Sequence, residues 1–360
     1  MARRARKKSI TSNWFVLNFR SGLLIGCAIA VAVGAAAFAY DRYDTKTLKR
    51  TIRRDAVYCG VNTGLPGFSS MDDKGVWSGF DVDFCRAIAA AIFDNPAKVK
   101  FIPLDAKERF VELQKRKVDV LARNSTWTMS RETDYALHFA GVSYYDGQGF
   151  MVPKSRKIDS ALELAGSKVC VQTDTTTELN LEDYFGANNI KYQDLKFAKV
   201  DEVFGAYQSG QCDTLTADVS QLYALRQNLA KPADHTILPE VISKEPLAPV
   251  VRQKDDDWLL IVKWTLFAML NAEELGINSK NIDAALKSKK PDVMRFVGTA
   301  DEYGEGLGLT KDWAVRIIRR VGNYGEVYTR NVGTGSKLGI PRGLNQLWNA
   351  GGILYAPPIR

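Results

Sequence analysis

"AKERFVELQKRKVDVLARN" (106–124) and "VDEVFGAYQSGQCDTLTAD" (200–218) are built to one plan. Each runs from acid to aromatic, through a polar helix end, to an aspartate (Asp119 or Asp213) that leads a short apolar strand. A supersecondary unit that recurs within one chain points to two lobes of similar build. Outward from the first copy, "AVYCGV" (56–61) reads as a strand. "GFDVDFCRAIAAAIF" reads as a helix, with Phe84, Ala87, Ile88, Ala91 and Ile92 on one face and Asp81 as its N-cap. "KVKFIPL" (98–104) is a strand, Phe110 and Leu113 point a helix inward, and "VDVLA" (118–122) is a strand again. The β-α-β-α-β order predicts a parallel sheet with right-handed crossovers.

Around the second copy, "SKVCVQ" (167–172) is a strand, and "TDTTTELNLEDYF" turns into a helix whose Thr175 and Glu178 form a capping box. "GQGFMVPKS" (147–155) and "EPLAPVVRQ" (245–253) are extended, are punctuated by Gly or Pro, and read as two hinge strands. "DDDWLLIVKWTLFAMLNAEELG" (255–276) has the length of a membrane span, but Lys263 and terminal acids make it a core helix. "GTGSKLG" is no dinucleotide fingerprint, since no strand precedes it. The last 80 residues are expected to pack onto the first lobe.

The net charge of +8 is concentrated at the head. Arg3, Arg4, Arg6, Lys7, Lys8 and Arg20 precede any acid, and without them the remaining basic residues nearly balance the 41 acids. That balance argues against nucleic acid as a partner. The uncharged run from Ser21 to Tyr40, with Ala37-Phe38-Ala39 as a cleavage position, reads over residues 1–39 as an export signal or as an uncleaved anchor. "LIGC" resembles a lipobox only loosely, because Arg20 shortens the apolar run before Cys27. Either way the bulk of the chain is expected in the periplasm, tethered to the inner membrane if 21–40 is not cleaved. The other four cysteines, Cys59, Cys85, Cys170 and Cys212, are an even number in an exported chain, which favours disulfides. There is no CxxC, His138 and His235 lie far apart in the sequence, and GxxxxGK[ST] is missing. No metal, cofactor or ATP site is expected.

Ligands of open parallel sheets collect at the carboxyl ends of strands. Three segments occupy such ends: "NSTWTMSRETDYALHF" (124–139), "QTDTTTE" (172–178) and "TAD" (216–218). Arg131 has the fork to hold a carboxylate, although a solvated arginine near a helix start is its commoner fate. The helix beginning near Thr175 offers free N–H groups to the same anion. Asp218, with Thr216 and Ser220 beside it, carries the opposite charge, or serves only as N-cap to "VSQLYALRQ". An arginine in one lobe and an acid in the other would grip a zwitterion.

Taken together, "CGVNTGLPGFS", "GFDVDFCRAIAAA", "LDAKERFVELQ…VDVLARNSTWTMSR", "YYDGQGFMV", "VCVQTDTTTELNL", "VGNYGEVYTRNVG" and the closing "LYAPPIR" resemble the general L-amino-acid-binding proteins of bacterial ABC importers. The resemblance covers roughly residues 50–360. It implies the two-lobed type II periplasmic binding fold, α/β in class, with two hinge strands. Lobe 1 would comprise 50–149 and 249–360, including a C-terminal extension, and lobe 2 would comprise 150–248. It also implies that Arg131 binds the ligand α-carboxylate, helped by Thr126 and the backbone of Thr175 and Thr176. Asp218 would bind the α-ammonium with Asn124 nearby. Asn62 and Phe68 would line the side-chain pocket, with Trp127 beside that wall. Many relatives outside this subgroup carry an acid where Asn62 stands, so Asn62 argues against a lysine or arginine specialist. Asp174, on a tight turn, is a second departure.

One disulfide per lobe is expected, Cys59–Cys85 and Cys170–Cys212, leaving the hinge free. The implied partners are an L-amino acid and the permease and ATPase subunits of an ABC importer, with the protein itself a monomer. Two rivals remain. The first is a dehydratase-like enzyme on the same fold, for which Glu132 and Glu178 are the candidate glutamates to move protons. The second is a membrane-tethered amino-acid sensor.

Overall fold

The structure, a computed structural model, describes residues 46–360. The export signal or anchor expected over 1–39 lies outside the described residues. By compactness the chain divides into Met1–Arg50 and Thr51–Arg360, and the second unit carries the architecture below. A short helix, α1, spans Thr47–Arg53.

The first sheet begins with β1 (Val57–Val61). A small hairpin follows, β2 (Ser70–Met71) and β3 (Trp77–Ser78), then helix α2 (Phe80–Phe93), β4 (Val99–Pro103), α3 (Arg109–Gln114), β5 (Val120–Leu121), α4 (Met129–Asp134) and β6 (Leu137–Phe139). The chain crosses on β7 (Tyr144–Asp146) into the second sheet. That sheet comprises β8 (Gln148–Pro153), β9 (Lys168–Gln172), helix α5 (Thr176–Ala187), β10 (Gln193–Phe197), α6 (Val200–Gln208), β11 (Thr214–Asp218), α7 (Val219–Gln227) and β12 (His235–Ile237). It returns on β13 (Glu245–Leu247) to β14 (Val250–Arg252) and the long helix α8 (Asp256–Glu274). Short helices α9 (Ile282–Ala285) and α10 (Pro291–Phe296) precede α11 (Trp313–Arg320) and α12 (Tyr324–Asn331).

The sheet orders are β4-β1-β5-β14-β6 and β10-β9-β11-β8-β12. In each, the first three strands are parallel, the fourth runs antiparallel to both of its neighbours, and the fifth therefore points the same way as the first three. The expectation of a parallel sheet therefore holds only for the β-α-β-α-β part. The fourth strand of each sheet adjoins a crossing strand, so it enters from the opposite end and runs the other way. The sequence echo is structural as well. Asp119 accepts the N–H of Tyr58 at 2.8 Å and pairs with Arg54. Asp213 likewise accepts the N–H of Lys168 at 3.1 Å and pairs with Arg156 at 2.9 Å. Each aspartate ties the start of its strand to the strand beside it.

The crossing strands β7 and β13 pair with each other, placing Asp146 opposite Glu245. The ribbon thus lies a few residues before "GQGFMVPKS", most of which is built into the second sheet as β8. On its outer edge, the Asn345 carboxamide accepts from the N–H of Tyr145 at 2.7 Å and donates to its carbonyl at 3.0 Å. The C-terminal residues otherwise pack on α2. Arg330 holds Asp83 at 2.7 Å, and the Tyr324 hydroxyl donates to the Ser143 carbonyl at 2.9 Å. Because α8, α11 and α12 cover its outer side, α2 is buried almost all round rather than on one face, with Val82, Ala89 and Ala90 inaccessible. Helix α8 buries Trp258, Ile261, Leu266 and Met269. No described helix is long and apolar enough to cross a membrane.

Two capping expectations fail. Gly79, not Asp81, is the N-cap of α2; its φ is 132°, and a Cβ there would lie 2.1 Å from the Phe68 carbonyl oxygen. That carbonyl accepts the Asp81 N–H at 3.0 Å, so the helix start is docked too tightly for a side chain. Thr175 is the N-cap of α5, but its side chain does not cap the helix, and Glu178 reaches Asp174 N instead, at 3.2 Å. The cysteines join as Cys59–Cys85, strand to helix in the first lobe, and as Cys170–Cys212 in the second.

Candidate ligand-binding site

The strand ends converge on one cavity between the two sheets. Asn62, Asn124, Thr126, Arg131, Thr175, Thr176 and Asp218 all line it. Phe68 and Trp127 do not. Phe68 is 1% exposed and packs edge-on against Phe80 and Tyr144 in an aromatic core that includes Tyr324 and Tyr328. Trp127 is half-exposed and stacks on Phe139, with centroids 5.5 Å apart. Asp174 is exposed, at a φ of 59°. This left-handed turn position favours glycine or asparagine, which explains why small residues suit it.

Arg131 sits in α4, whose N-cap Thr128 accepts the Arg131 N–H at 3.3 Å. Its side chain is anchored by one bond, Nη1 to the Thr126 carbonyl at 2.8 Å, and lies 5.3 Å over the Phe110 ring. It has no ion-pair partner among the described residues. Asp218 ends β11 and takes the N-cap position of α7 without capping it. Asp146, on the crossing ribbon, accepts the Ser220 N–H in its place at 3.3 Å. The Asp218 carboxylate, 6% exposed, makes no hydrogen bond among the described residues. One cavity therefore holds a buried guanidinium and a buried carboxylate, neither of them paired. Isolated buried charges cost several kcal/mol each, so these two side chains suit a partner that carries both opposite charges.

Asn124 has a φ of 32°, a conformation asparagine tolerates, and its Oδ1 accepts from Asn62 Nδ2 at 3.0 Å. The Thr126 and Thr176 hydroxyls approach to 3.4 Å across the cleft, and both donate to Glu245 of the return strand. Glu245 is 1% exposed and also accepts from Asn180 and Ser243, each at 2.8 Å. It therefore ties a residue of each lobe to the ribbon between them. Nothing in the sequence around Glu245 announces this. Arg109 and Arg123 also line the cavity and were not singled out. For Arg109 a signal existed: it lies four residues before the inward-facing Leu113, on the same helix face.

The cleft acids are held protonated more readily than usual. Burial pushes Asp146 up to about 6 and Asp81 to about 7. Asp218 is raised well above the ordinary carboxylate range by burial, then by Asp146 and Glu245, while Arg131 and Arg109 pull it back. In the folded, ligand-free state these groups bind protons that the unfolded chain has released. Their contribution to stability therefore declines as pH rises from about 4 through about 7. For a cationic ligand group the sign reverses, because only the ionised Asp218 attracts it. Affinity is expected to fall as pH drops through the raised range in which Asp218 takes up its proton, by up to ~10-fold per unit for each proton taken up. Calorimetric titration across that range checks this; an affinity independent of pH would remove Asp218 from the contact.

Residues 57–283 match the model of the bacterial extracellular solute-binding proteins, family 3. The chain belongs to that family. The general L-amino acid-binding periplasmic protein AapJ of Rhizobium johnstonii is 54% identical over 338 residues, 93% of this chain and 97% of that protein. The glutamate/glutamine/aspartate/asparagine-binding protein BztA of Rhodobacter capsulatus is 46% identical, covering 95% and 99%. A solved structure, an ABC transporter/periplasmic binding protein from Brucella ovis with glutathione bound, superposes with a TM-score of 0.87 at 54% identity, covering 88% and 100%. The architecture is the two-lobed one of this family, with the cavity between the lobes.

Proposed function

We propose that this protein is a periplasmic receptor that captures L-amino acids with broad specificity and delivers them to the permease of an ABC importer. The observation that carries this reading is the unpaired Arg131 and Asp218 facing one cavity from opposite lobes. An α-amino acid supplies both missing partners at once, a carboxylate for the arginine fork and an ammonium for the aspartate. Thr126, the N-terminus of α5 at Thr175 and Thr176, and Asn124 complete the grip on the groups that all amino acids share. The same grip accepts any ligand with a free α-amino and α-carboxylate pair, the glutamyl end of glutathione included. Gripping the shared groups and reading the side chain loosely yields broad specificity. Because the two charges come from different lobes, binding favours closure about the β7–β13 ribbon, and the permease with its ATPase reads the closed form.

The names of the relatives support the amino-acid assignment and the periplasmic location. The enzyme reading is disfavoured by the placement of its two acids. Glu178 pairs with Lys196 at 3.0 Å, Glu132 lies 4.0 Å from His138, and neither lines the cavity. The sensor reading rests only on an uncleaved anchor. We read the protein as acting alone, as a monomer. A thermal-shift panel of the twenty L-amino acids on residues 40–360, followed by calorimetry, tests the reading. Stabilisation by many chemically different amino acids is expected. A response to one alone would overturn the breadth, and no response would overturn the receptor.

A further inference from the structure

Three guanidiniums line the cleft, and they are not equivalent. Arg131 is the α-carboxylate hand. Arg123 is committed: its Nε donates to the Leu104 carbonyl at 2.9 Å, and Asp105 and Asp81 lie on its side. Arg109 is 3% exposed and makes no hydrogen bond or ion pair among the described residues, and its Nε is buried and unpartnered. Its guanidinium lies 4.7 Å from the Phe110 ring centre. The charges that act on it most strongly are the like charges of Arg123 and Arg131, with Asp218 in opposition, and burial together with those two arginines lowers its proton affinity well below the usual.

We propose that Arg109 is a specificity-determining residue, the core of a second anion subsite that takes the side-chain carboxylate of a dicarboxylic L-amino acid. This rests on the amino-acid-receptor reading above. The argument is one of charge. A neutral amino acid brings one carboxylate to Arg131 and one ammonium to Asp218, and then the one acid that offsets Arg109 is engaged by the ligand. Arg109 is left buried between two like charges, which is strongly unfavourable. A second ligand carboxylate neutralises it, and a guanidinium with an open fork is the donor such a group fits best. A basic side chain would add a fourth positive charge to the same walls, and Asn62 supplies no acid to meet it.

The test compares isosteric ligands, so that charge alone differs. Calorimetry on the purified chain at neutral pH would measure L-glutamate against L-glutamine and L-aspartate against L-asparagine. Each dicarboxylate is expected to bind at least about 10-fold tighter than its amide. In Arg109→Met, glutamate affinity is expected to fall at least about 30-fold more than glutamine affinity, and Arg109→Lys is expected to restore part of the preference. Equal affinity within the wild-type pairs overturns the subsite, as does an equal loss of both ligands in Arg109→Met. The wild-type comparison needs no variant to fold. If neutral amino acids bind well and the carboxylate earns no preference, this inference alone fails. If no amino acid binds, the receptor reading fails with it.

Discussion

Arg131→Ala is expected to weaken every amino-acid ligand by at least about 100-fold, roughly 2.7 kcal/mol. The loss should be uniform across side chains, because in the proposed function the arginine meets the group all amino acids share. Its geometry makes it hard to replace. Nη1 is held by the Thr126 carbonyl, and the ring of Phe110 lies beneath the guanidinium. A lysine offers a point charge without the planar fork, so Arg131→Lys is expected to recover only part of the affinity. Asp218→Ala should cost as much, through the α-ammonium. Asp218→Asn adds a second readout. It removes a buried, unpaired carboxylate from between Asp146 and Glu245, so the ligand-free protein should melt no lower than wild type while binding collapses. Calorimetry and thermal melts on the same samples measure both. Near-wild-type affinity for several amino acids in either alanine variant would refute the assignment.

Removing a disulfide is the change expected to reduce stability most. Cys170 and Cys212 are 42 residues apart in sequence, and Cys59 and Cys85 are 26 apart. Closing loops of that size restricts the unfolded chain by about 3.5–4 kcal/mol each in the chain-entropy account. Cys170→Ser with Cys212→Ser is therefore expected to lower the unfolding free energy by about that amount, measured by denaturant titration. Neither bond crosses the β7–β13 ribbon, so the ligand-induced shift in melting temperature should persist in the variant. A loss below about 1 kcal/mol would mean that the lobe core alone, built on Val203, Leu215 and Leu222, suffices to hold it.

Much of the site was legible because it sits where a parallel α/β unit must place it. Once Asp119 and Asp213 are seen to lead equivalent strands, Asn124 and Asp218 fall at equivalent strand ends, and Arg131 follows seven residues after Asn124. What was not legible came from chain segments distant in sequence. Phe68 looked like a pocket wall, yet it packs against Phe80 and Tyr144, and Phe80 in turn packs against Tyr324 and Tyr328 from far along the chain. The one-sided helix pattern in α2 missed its second buried face for the same reason: alanines carry too little hydrophobic signal to announce what covers them. Glu245 was invisible because its four donors arrive from both lobes.

The sequence by itself determined the two-lobed class, the half-sheets and their disulfide-bearing strands, and the arginine and aspartate that face each other. All of these follow from local periodicity, turn chemistry and an internal repeat, which are written in consecutive residues. Only the tertiary structure decided that the strands following the two crossings, β8 and β14, run against their sheets, that Glu245 joins both lobes to the ribbon, and that Arg109 is left without a partner among the described residues. Those depend on which charges and hydroxyls meet across long sequence separations. Whether a buried charge is satisfied is a property of its neighbours in space, and no pattern along the chain specifies it.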